Sequence, residues 1–528
     1  MLKGYNLVGQ TESAEGDQYL KVFSTVSQHD LPEKFAVATS DEVDKAVAKA
    51  AAAFVIYKNL PPVVKAEFLE SIADEIMVLG DELIQRAMLE SGLPEARLVG
   101  ERGRTTGQLK LFASVVREGS WVEAVIDTTL PDRKPLPRAD LRKMNVPIGP
   151  VVVFGASNFP FAFSTLGGDT VSALAAGNPV IVKAHAAHLG TNELMARAIH
   201  AAIKKCNLPD GVFSFVIGEG AVTGMRLVKH MGVKAVGFTG SYTAGMAIFK
   251  AAVNERETPI PVYAEMSSIN PVLLLNEKLL QDGDTLATAL AGSITLGVGQ
   301  FCTNPGLLFL TESAAAENFI TKLSLLLSAA PAATMLNAGI CRSYYKNKKM
   351  ITGQNGVTIL VEGEDASEDF KGAAALLVVS ATDFISNPQL QNEIFGPASL
   401  IVKCKNETEL QQAISSLHGQ LTGTIFATNE DIQHFKSCIN QLTEKVGRVV
   451  YNSVPTGVEV CHAMVHGGPF PATTNVRSTS VGADAIKRFV RPICLQDCPD
   501  AFLPDALKNE NLLHIMRKVN GVYTNESI

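Results

Sequence analysis

The sequence predicts an α/β protein with two large domains and a projecting β-arm. Three observations lead there. From Asn145 onward the short apolar runs Val151-Val152-Val153-Phe154, Val180-Ile181-Val182, Val212 to Val216 and Ala235-Val236 are each followed by a helical stretch. Such alternation implies a parallel sheet with helices on both faces, a Rossmann-type, dinucleotide-binding architecture. A second alternating block begins near Asn270 with Val272 to Leu275, continues through a long helix to about Gly297 and a strand over Gly306 to Leu310, and runs to about Gly467. Finally, 528 residues suit two such domains, at roughly 150 residues or more apiece.

Taken in order, residues 39–116 read as helices. Thr39 with Glu42 forms a capping-box signature, and Glu67 to Arg86 repeats apolar residues at intervals of three and four. Trp121 to Asp127 and Asp140 to Asn145 flank the Pro-rich turn Leu130 to Pro137, a predicted two-stranded arm to which Ala485 to Ile493 adds a third strand. A lone hairpin is marginal in water, so the arm predicts a homodimer or homotetramer. The expected boundaries are 1–120 with 147–266 for the first domain, 267–475 for the second, 121–146 with 485–495 for the arm, and 496–528 for a C-terminal extension.

Composition narrows the function. With 46% hydrophobic and 19% charged residues the chain can bury large cores, which excludes disorder, collagen and coiled coil. A net charge of −7 without long Lys/Arg runs lacks the footprint of a nucleic-acid binder and favours small-molecule partners. The eight cysteines have no CxxC spacing and read as free thiols of a reducing compartment. Met1 to Tyr19 carries Glu12, Glu15 and Asp17 in place of an apolar leader, and no apolar run is long enough to span a membrane. The expectation is a cytoplasmic protein with no membrane partner.

Several runs could carry chemistry. Gly155-Ala156-Ser157-Asn158-Phe159-Pro160-Phe161 follows a strand, where Asn158 either presents an amide N–H to an oxyanion or merely caps a helix. Lys183 ends the next strand, as a point charge for a ribose or phosphate or as a surface lysine. Phe238-Thr239-Gly240-Ser241 leads into a helix carrying Gly245, a turn that lets a pyrophosphate approach the helix N-terminus. Gly218-Glu219-Gly220 with Gly224 is one residue off the dinucleotide fingerprint. Glu265 ends the strand Ile260 to Ala264, where burial would raise its carboxyl pKa toward that of a general base. Cys302 lies in the Gly-rich exit Gly297 to Thr303, a setting that raises it above the other cysteines as a nucleophile. Glu393-Ile394-Phe395-Gly396-Pro397 forms a sharp turn with a second carboxylate.

In this order, from about residue 35 to 495, the runs resemble the NAD(P)-dependent aldehyde dehydrogenase superfamily. The family's Asn-Phe-Pro, strand-ending lysine, Phe-Thr-Gly-Ser, Gly-Gln-x-Cys and Glu-x-Phe-Gly-Pro features are matched at Asn158, Lys183, Phe238, Gly299 to Cys302 and Glu393 to Pro397. The usual Glu-Leu-Gly-Gly-Lys reads Glu265-Met266-Ser267-Ser268-Ile269, and Ala156-Ser157 stands where many members have Pro-Trp. Met266 to Ser268, Lys183-Ala184-His185 and His466 to Pro471 are similar to the branch of α-ketoglutaric semialdehyde (2,5-dioxopentanoate) dehydrogenases, which also holds an NADP-linked fatty aldehyde dehydrogenase.

The resemblance implies a Rossmann-type cofactor domain, a catalytic domain and an oligomerisation arm. It implies Cys302 as nucleophile, Asn158 as oxyanion donor, Glu265 as base for thioester hydrolysis, and no metal ion. Lys183, Phe238, Thr239, Gly240, Ser241, Gly245, Glu393 and Phe395 would hold the cofactor. NADP is expected, with NAD as the alternative: where NAD-selective relatives often carry Glu this chain has Ala186, which frees Lys183 for a 2′-phosphate with His185 as helper, although Glu219 projects toward the same ribose. For the substrate, Arg104 and Gln108 share a helix face and could receive a carboxylate, and Phe161 and Phe301, with Phe112, could line an apolar tunnel for a long-chain aldehyde instead. Two other classes remain open: a cysteine hydrolase or acyltransferase pairing Cys302 with His462 or His466, and a non-catalytic binding protein, whose expected loss of Cys302, Glu265 or Asn158 is not seen.

Overall fold

The apolar runs become strands because each is buried on both faces, as a helix-covered parallel sheet requires. The computed structural model describes residues 2–528. Val151–Phe154, Val180–Lys183, Phe213–Val216, Ala235–Thr239 and Val262–Glu265 pair in parallel. Numbered along the chain, these five lie in the order 5-4-1-2-3 across the sheet. The order therefore reverses beside Val151–Phe154, and open α/β sheets take ligands at the carboxyl ends of strands at such a switch point. Asn6–Val8 and Thr11–Ser13 extend the sheet with antiparallel pairing.

Four helices, Ser40–Tyr57, Pro62–Val78, Gly80–Ser91 and Glu95–Glu118, precede the arm. The first begins with the Thr39–Glu42 capping box, and the last stops at Gly119, whose φ of 81° lies in the left-handed region. The second sheet runs Thr358–Glu362, Ala375–Ser380, Ala398–Cys404, Leu307–Thr311, Pro271–Leu274, Gln420–Phe426, Val446–Tyr451, and only its first strand is antiparallel. Beyond it the chain returns to the first sheet. Met266 N–H donates to the Ala472 carbonyl, and Thr474 Oγ1 donates to that of Val262. This return places residues 466–480 against the strand that ends in Glu265.

The arm differs from its predicted outline. Its strands are Val125–Asp127, Leu141–Pro147 and Val490–Gln496, whereas Ser120–Val122 and Ala483–Phe489 are 3-10 helices. Ala485, Ile486 and Phe489 are fully buried in the first domain's core and Arg488 pairs with Asp169 at 2.7 Å, so this stretch cannot serve as an arm strand. Residues 496–528 supply two more strands: Arg517–Val519 pairs with Val125–Asp127, and Val522–Thr524 completes a five-stranded sheet. All eight cysteines are free. Among the described residues no helix is long and apolar enough to cross a membrane.

Candidate active site

The turn before Cys302 is built by backbone geometry. Gly297, Val298 and Gly299 have φ of 53°, 58° and 64°, and a β-branched residue in the left-handed region costs of order 1–3 kcal/mol. The turn is pressed against the Glu393–Pro397 turn, since a Cβ on Gly299 would lie 2.3 Å from the Gly396 carbonyl carbon. Asn270 Nδ2 pins the exit by donating to the carbonyls of Cys302 (2.8 Å) and Asn304 (2.9 Å). Cys302 emerges half-buried.

Its sulfur meets a buried histidine. His466 Nε2 lies 3.3 Å from Cys302 Sγ and 3.0 Å from Glu265 Oε1, and the Ser480 hydroxyl donates to Glu265 Oε2. Burial opposes a charged imidazole, but the Glu265 carboxylate and the Cys302 sulfur outweigh it and push His466 up to about 10. Glu265 departs from expectation. Burial works to raise its carboxyl, yet the charge of His466 and the bonds from His466 and Ser480 hold it below the usual range. The cluster is thus an ion pair next to the thiol, in place of an isolated carboxyl of raised pKa.

Asn158 faces the same turn, with Nδ2 donating to the Gln300 carbonyl at 3.2 Å. Buried Glu101 holds its loop: Oε1 accepts from Phe161 N–H (2.8 Å) and Ala162 N–H (2.9 Å), and Oε2 accepts from Arg97 at 2.7 Å. Arg97 also lies 4.4 Å over Phe159 and 5.6 Å over Phe301. Arg104 lies 5.1 Å over Phe163, its Nη2 is 3.4 Å from the Val458 carbonyl, and its Nη1 is buried without a hydrogen-bond partner. Glu101 pairs with Arg97 and leaves Arg104 unclaimed.

Two predicted substrate contacts lie elsewhere. Gln108 is 1% exposed and sits beside Gly168, because one helical turn past Arg104 the same face has passed into the domain interior. Phe161 and Phe112 are core residues of the first domain, so the imagined apolar tunnel lacks two of its three walls. Phe301 does reach the site, edge-on to Phe159 at 5.5 Å.

The cofactor candidates gather at the carboxyl ends of the first sheet. Burial lowers Lys183 to about 8, partly countered by Glu219, so these two side chains do share one neighbourhood. His185 does not fit the role of a cationic helper. Its Nδ1 accepts from Ala187 N–H at 3.2 Å, its ring stacks on His188, and burial, with Lys183 and His188 nearby, holds its pKa well below the usual imidazole range. Ser241 Oγ caps Tyr242–Asn254, while Gly240 and Gly245 are required because a Cβ at either would strike the Phe238 ring or Met266. Thr239 stands opposite Glu265 in the strand register. Glu393 bonds to Ser267 and the Ser268 backbone, but burial dominates and pushes it up to about 7; Phe395 beside it is half-buried. The Ser267-Ser268 pair thus supplies the contacts of this turn. The sequence offers His466 as a partner of Cys302 in the rival hydrolase hypothesis and as the start of the branch-like run His466 to Pro471, but assigns it no contact with Glu265. Ser480 is marked only by its place in the run Ser478 to Gly482, which is similar to the same branch, and Arg97 carries no signal.

The aldehyde dehydrogenase family model matches residues 11–470. The chain is 51% identical over 522 residues to α-ketoglutaric semialdehyde dehydrogenase 2 of Azospirillum brasilense, covering 98% of this chain and 99% of that protein. It is 47% identical to the α-ketoglutaric semialdehyde dehydrogenase of Acinetobacter baylyi, with 93% of each covered. Its fold is similar to lactaldehyde dehydrogenase from Escherichia coli, with a TM-score of 0.79 at 19% identity over 93% of this chain and 98% of that one. The chain belongs to the aldehyde dehydrogenase family and is an enzyme of that NAD(P)+-dependent class.

Proposed function

We propose that the enzyme oxidises a short aldehyde bearing a distal carboxylate, with α-ketoglutaric semialdehyde as substrate and 2-oxoglutarate as product. The observation that carries this reading is the unclaimed, buried Arg104 Nη1 beside the Cys302 turn, an unpaired donor suited to a carboxylate. The names of the two relatives agree with it. A long-chain alkanal suits the site less, because Phe112 and Phe161 lie in the core and Arg97 lies over Phe301.

Cys302, with His466 Nε2 3.3 Å from its sulfur, attacks the aldehyde carbon as thiolate. A C–S bond forms, and the oxyanion is held by Asn158 Nδ2 and the Cys302 N–H. The chemistry that a bound nicotinamide brings is hydride acceptance. Lys183, Ser241 and Glu393 fit such a group: a buried ammonium with no ion pair among the described residues, a capped helix start, and a carboxyl on the opposite turn. Glu265 accepts the proton of the water that hydrolyses the thioester, and His466 keeps that carboxylate ionised. NADP is our preferred cofactor, the five-stranded arm our proposed homodimer or homotetramer contact, and the cytoplasm our proposed location.

The test is reduced-cofactor absorbance over a panel of aldehydes, from glutarate-like semialdehydes to long-chain alkanals, with NAD and NADP. The proposal expects the highest kcat/KM for the carboxylated semialdehyde; a preference for alkanals would overturn it.

A further inference from the structure

Cys302 Sγ, His466 Nε2 and a Glu265 oxygen lie within 4.8 Å of one another, which no other group of three such side chains achieves among the described residues. Sulfur to nitrogen is 3.3 Å and nitrogen to oxygen 3.0 Å. A tetrahedral Zn2+ bonded at ~2.3 Å to sulfur, ~2.0 Å to imidazole and ~2.0 Å to carboxylate needs ligand separations of roughly 3.3–3.6 Å. Two of the three separations are within a few tenths of an ångström of those needed, and the third, sulfur to oxygen, is at most 4.8 Å, so the ion would draw the thiol and the carboxylate together.

We propose that Cys302, His466 and Glu265 form a binding site for a thiophilic divalent cation, Zn2+ being the best fit, and that its occupation reversibly closes the active site. The donors are one thiolate, one imidazole and one carboxylate, a borderline-soft set, and three protein ligands leave a fourth position for water. Ser480 steadies the carboxylate by donating to Glu265 Oε2, leaving Oε1 for the metal. His466 Nδ1, in contrast, is buried with no hydrogen-bond partner. A ligating histidine normally gains tenfold or more in affinity from such a partner, so the site is moderately tight and suited to reversible control. Binding is ligand exchange without redox. The ion takes the place of the proton between His466 and its neighbours, that proton passes to solvent, and affinity rises with pH. The sulfur is then coordinated and no longer attacks a carbonyl. Inhibition rests on the proposed role of Cys302 as nucleophile, whereas metal binding does not.

The experiment titrates the full-length, metal-free enzyme with Zn2+ alone in a calorimeter, repeats this in buffers of different ionisation enthalpy, and follows iodoacetamide labelling of Cys302 by mass spectrometry. Expected are one site per chain, proton release, at least tenfold slower labelling of Cys302, and EDTA-reversible loss of aldehyde oxidation. Cys302→Ala, at a half-buried position that tolerates truncation, should lose the site, as should His466→Gln. The proposal is overturned if Cys302→Ala keeps the same Zn2+ stoichiometry and affinity, or if Cys302 in the wild type is alkylated at an unchanged rate once one equivalent is bound. Failure of the nucleophile assignment looks different: Zn2+ still binds and shields Cys302 while oxidation proceeds.

Discussion

The Cys302 cluster and the Lys183 crevice bury ionisable groups beside the same parallel sheet, and they compensate for burial in opposite ways. At Glu265 and His466 two opposite charges meet at 3.0 Å, and each holds the other ionised. At Lys183 burial acts almost alone, countered only by exposed Glu219, and the ammonium is held near pH 8. The cluster is electrostatically paired within itself, while the crevice leaves a buried ammonium that the proposed cofactor would pair. Substitutions in the first should therefore strike chemistry and spare binding, and those in the second should do the reverse.

The largest effect that would sharpen this contrast is expected for Cys302→Ala, which removes the proposed bond-forming atom but no proposed cofactor contact. Turnover should fall by at least roughly 10³-fold, with cofactor Kd, read by quenching of protein fluorescence, unchanged. Substantial residual oxidation would break the comparison. Glu265→Gln comes next. It removes the proposed acceptor for the proton of water and the ion-pair partner of His466, so a pre-steady-state burst of reduced cofactor should precede a steady state slowed by roughly 10²-fold. Without a burst, deacylation has another base. Arg104→Met should raise KM about tenfold for carboxylated aldehydes, a charge-assisted bond of ~1.5 kcal/mol, and leave unbranched alkanals almost unaffected; equal effects on both would make Arg104 structural.

The two regions were unequally legible in the sequence. Crevice residues end apolar strands, and such runs show both the strand and the direction its end faces, so Lys183 and Thr239 could be placed in advance. Cys302 was marked by its glycines. His466 and Ser480 reach Glu265 only because the chain crosses back from the second sheet, and pairings across 201 and 215 residues leave no local periodicity. Local helix geometry also misled at Gln108, since residues four apart share a face but a face need not meet one environment along its length. The same limit applied to the stretch 485–489, where apolar residues suggested a strand and the first domain's core claimed them for a 3-10 helix.

The smallest expected effect concerns the crevice, where buried Lys183 is proposed to set the response to a 2′-phosphate. Lys183 is protonated below about 8 and loses its charge as pH rises through that value. Attraction for the phosphate should follow the charge, and the bound phosphate itself draws the midpoint upward. The ratio of Kd for NAD to Kd for NADP should therefore hold steady from pH 6 to 8 and decline above it, and Lys183→Met should flatten the profile. Ala186 is exposed three residues beyond Lys183 and begins the short helix Ala186–His188, so a carboxylate there has room to project into the same region. Ala186→Glu should weaken NADP by up to about fivefold, the ~1 kcal/mol of a solvent-screened charge contact, with little change in NAD, and added salt should shrink the difference. Equilibrium fluorescence titrations at several pH values measure all of these. A wild-type ratio favouring NAD at every pH would assign the Lys183 ammonium to a ribose hydroxyl and give Glu219 the deciding charge.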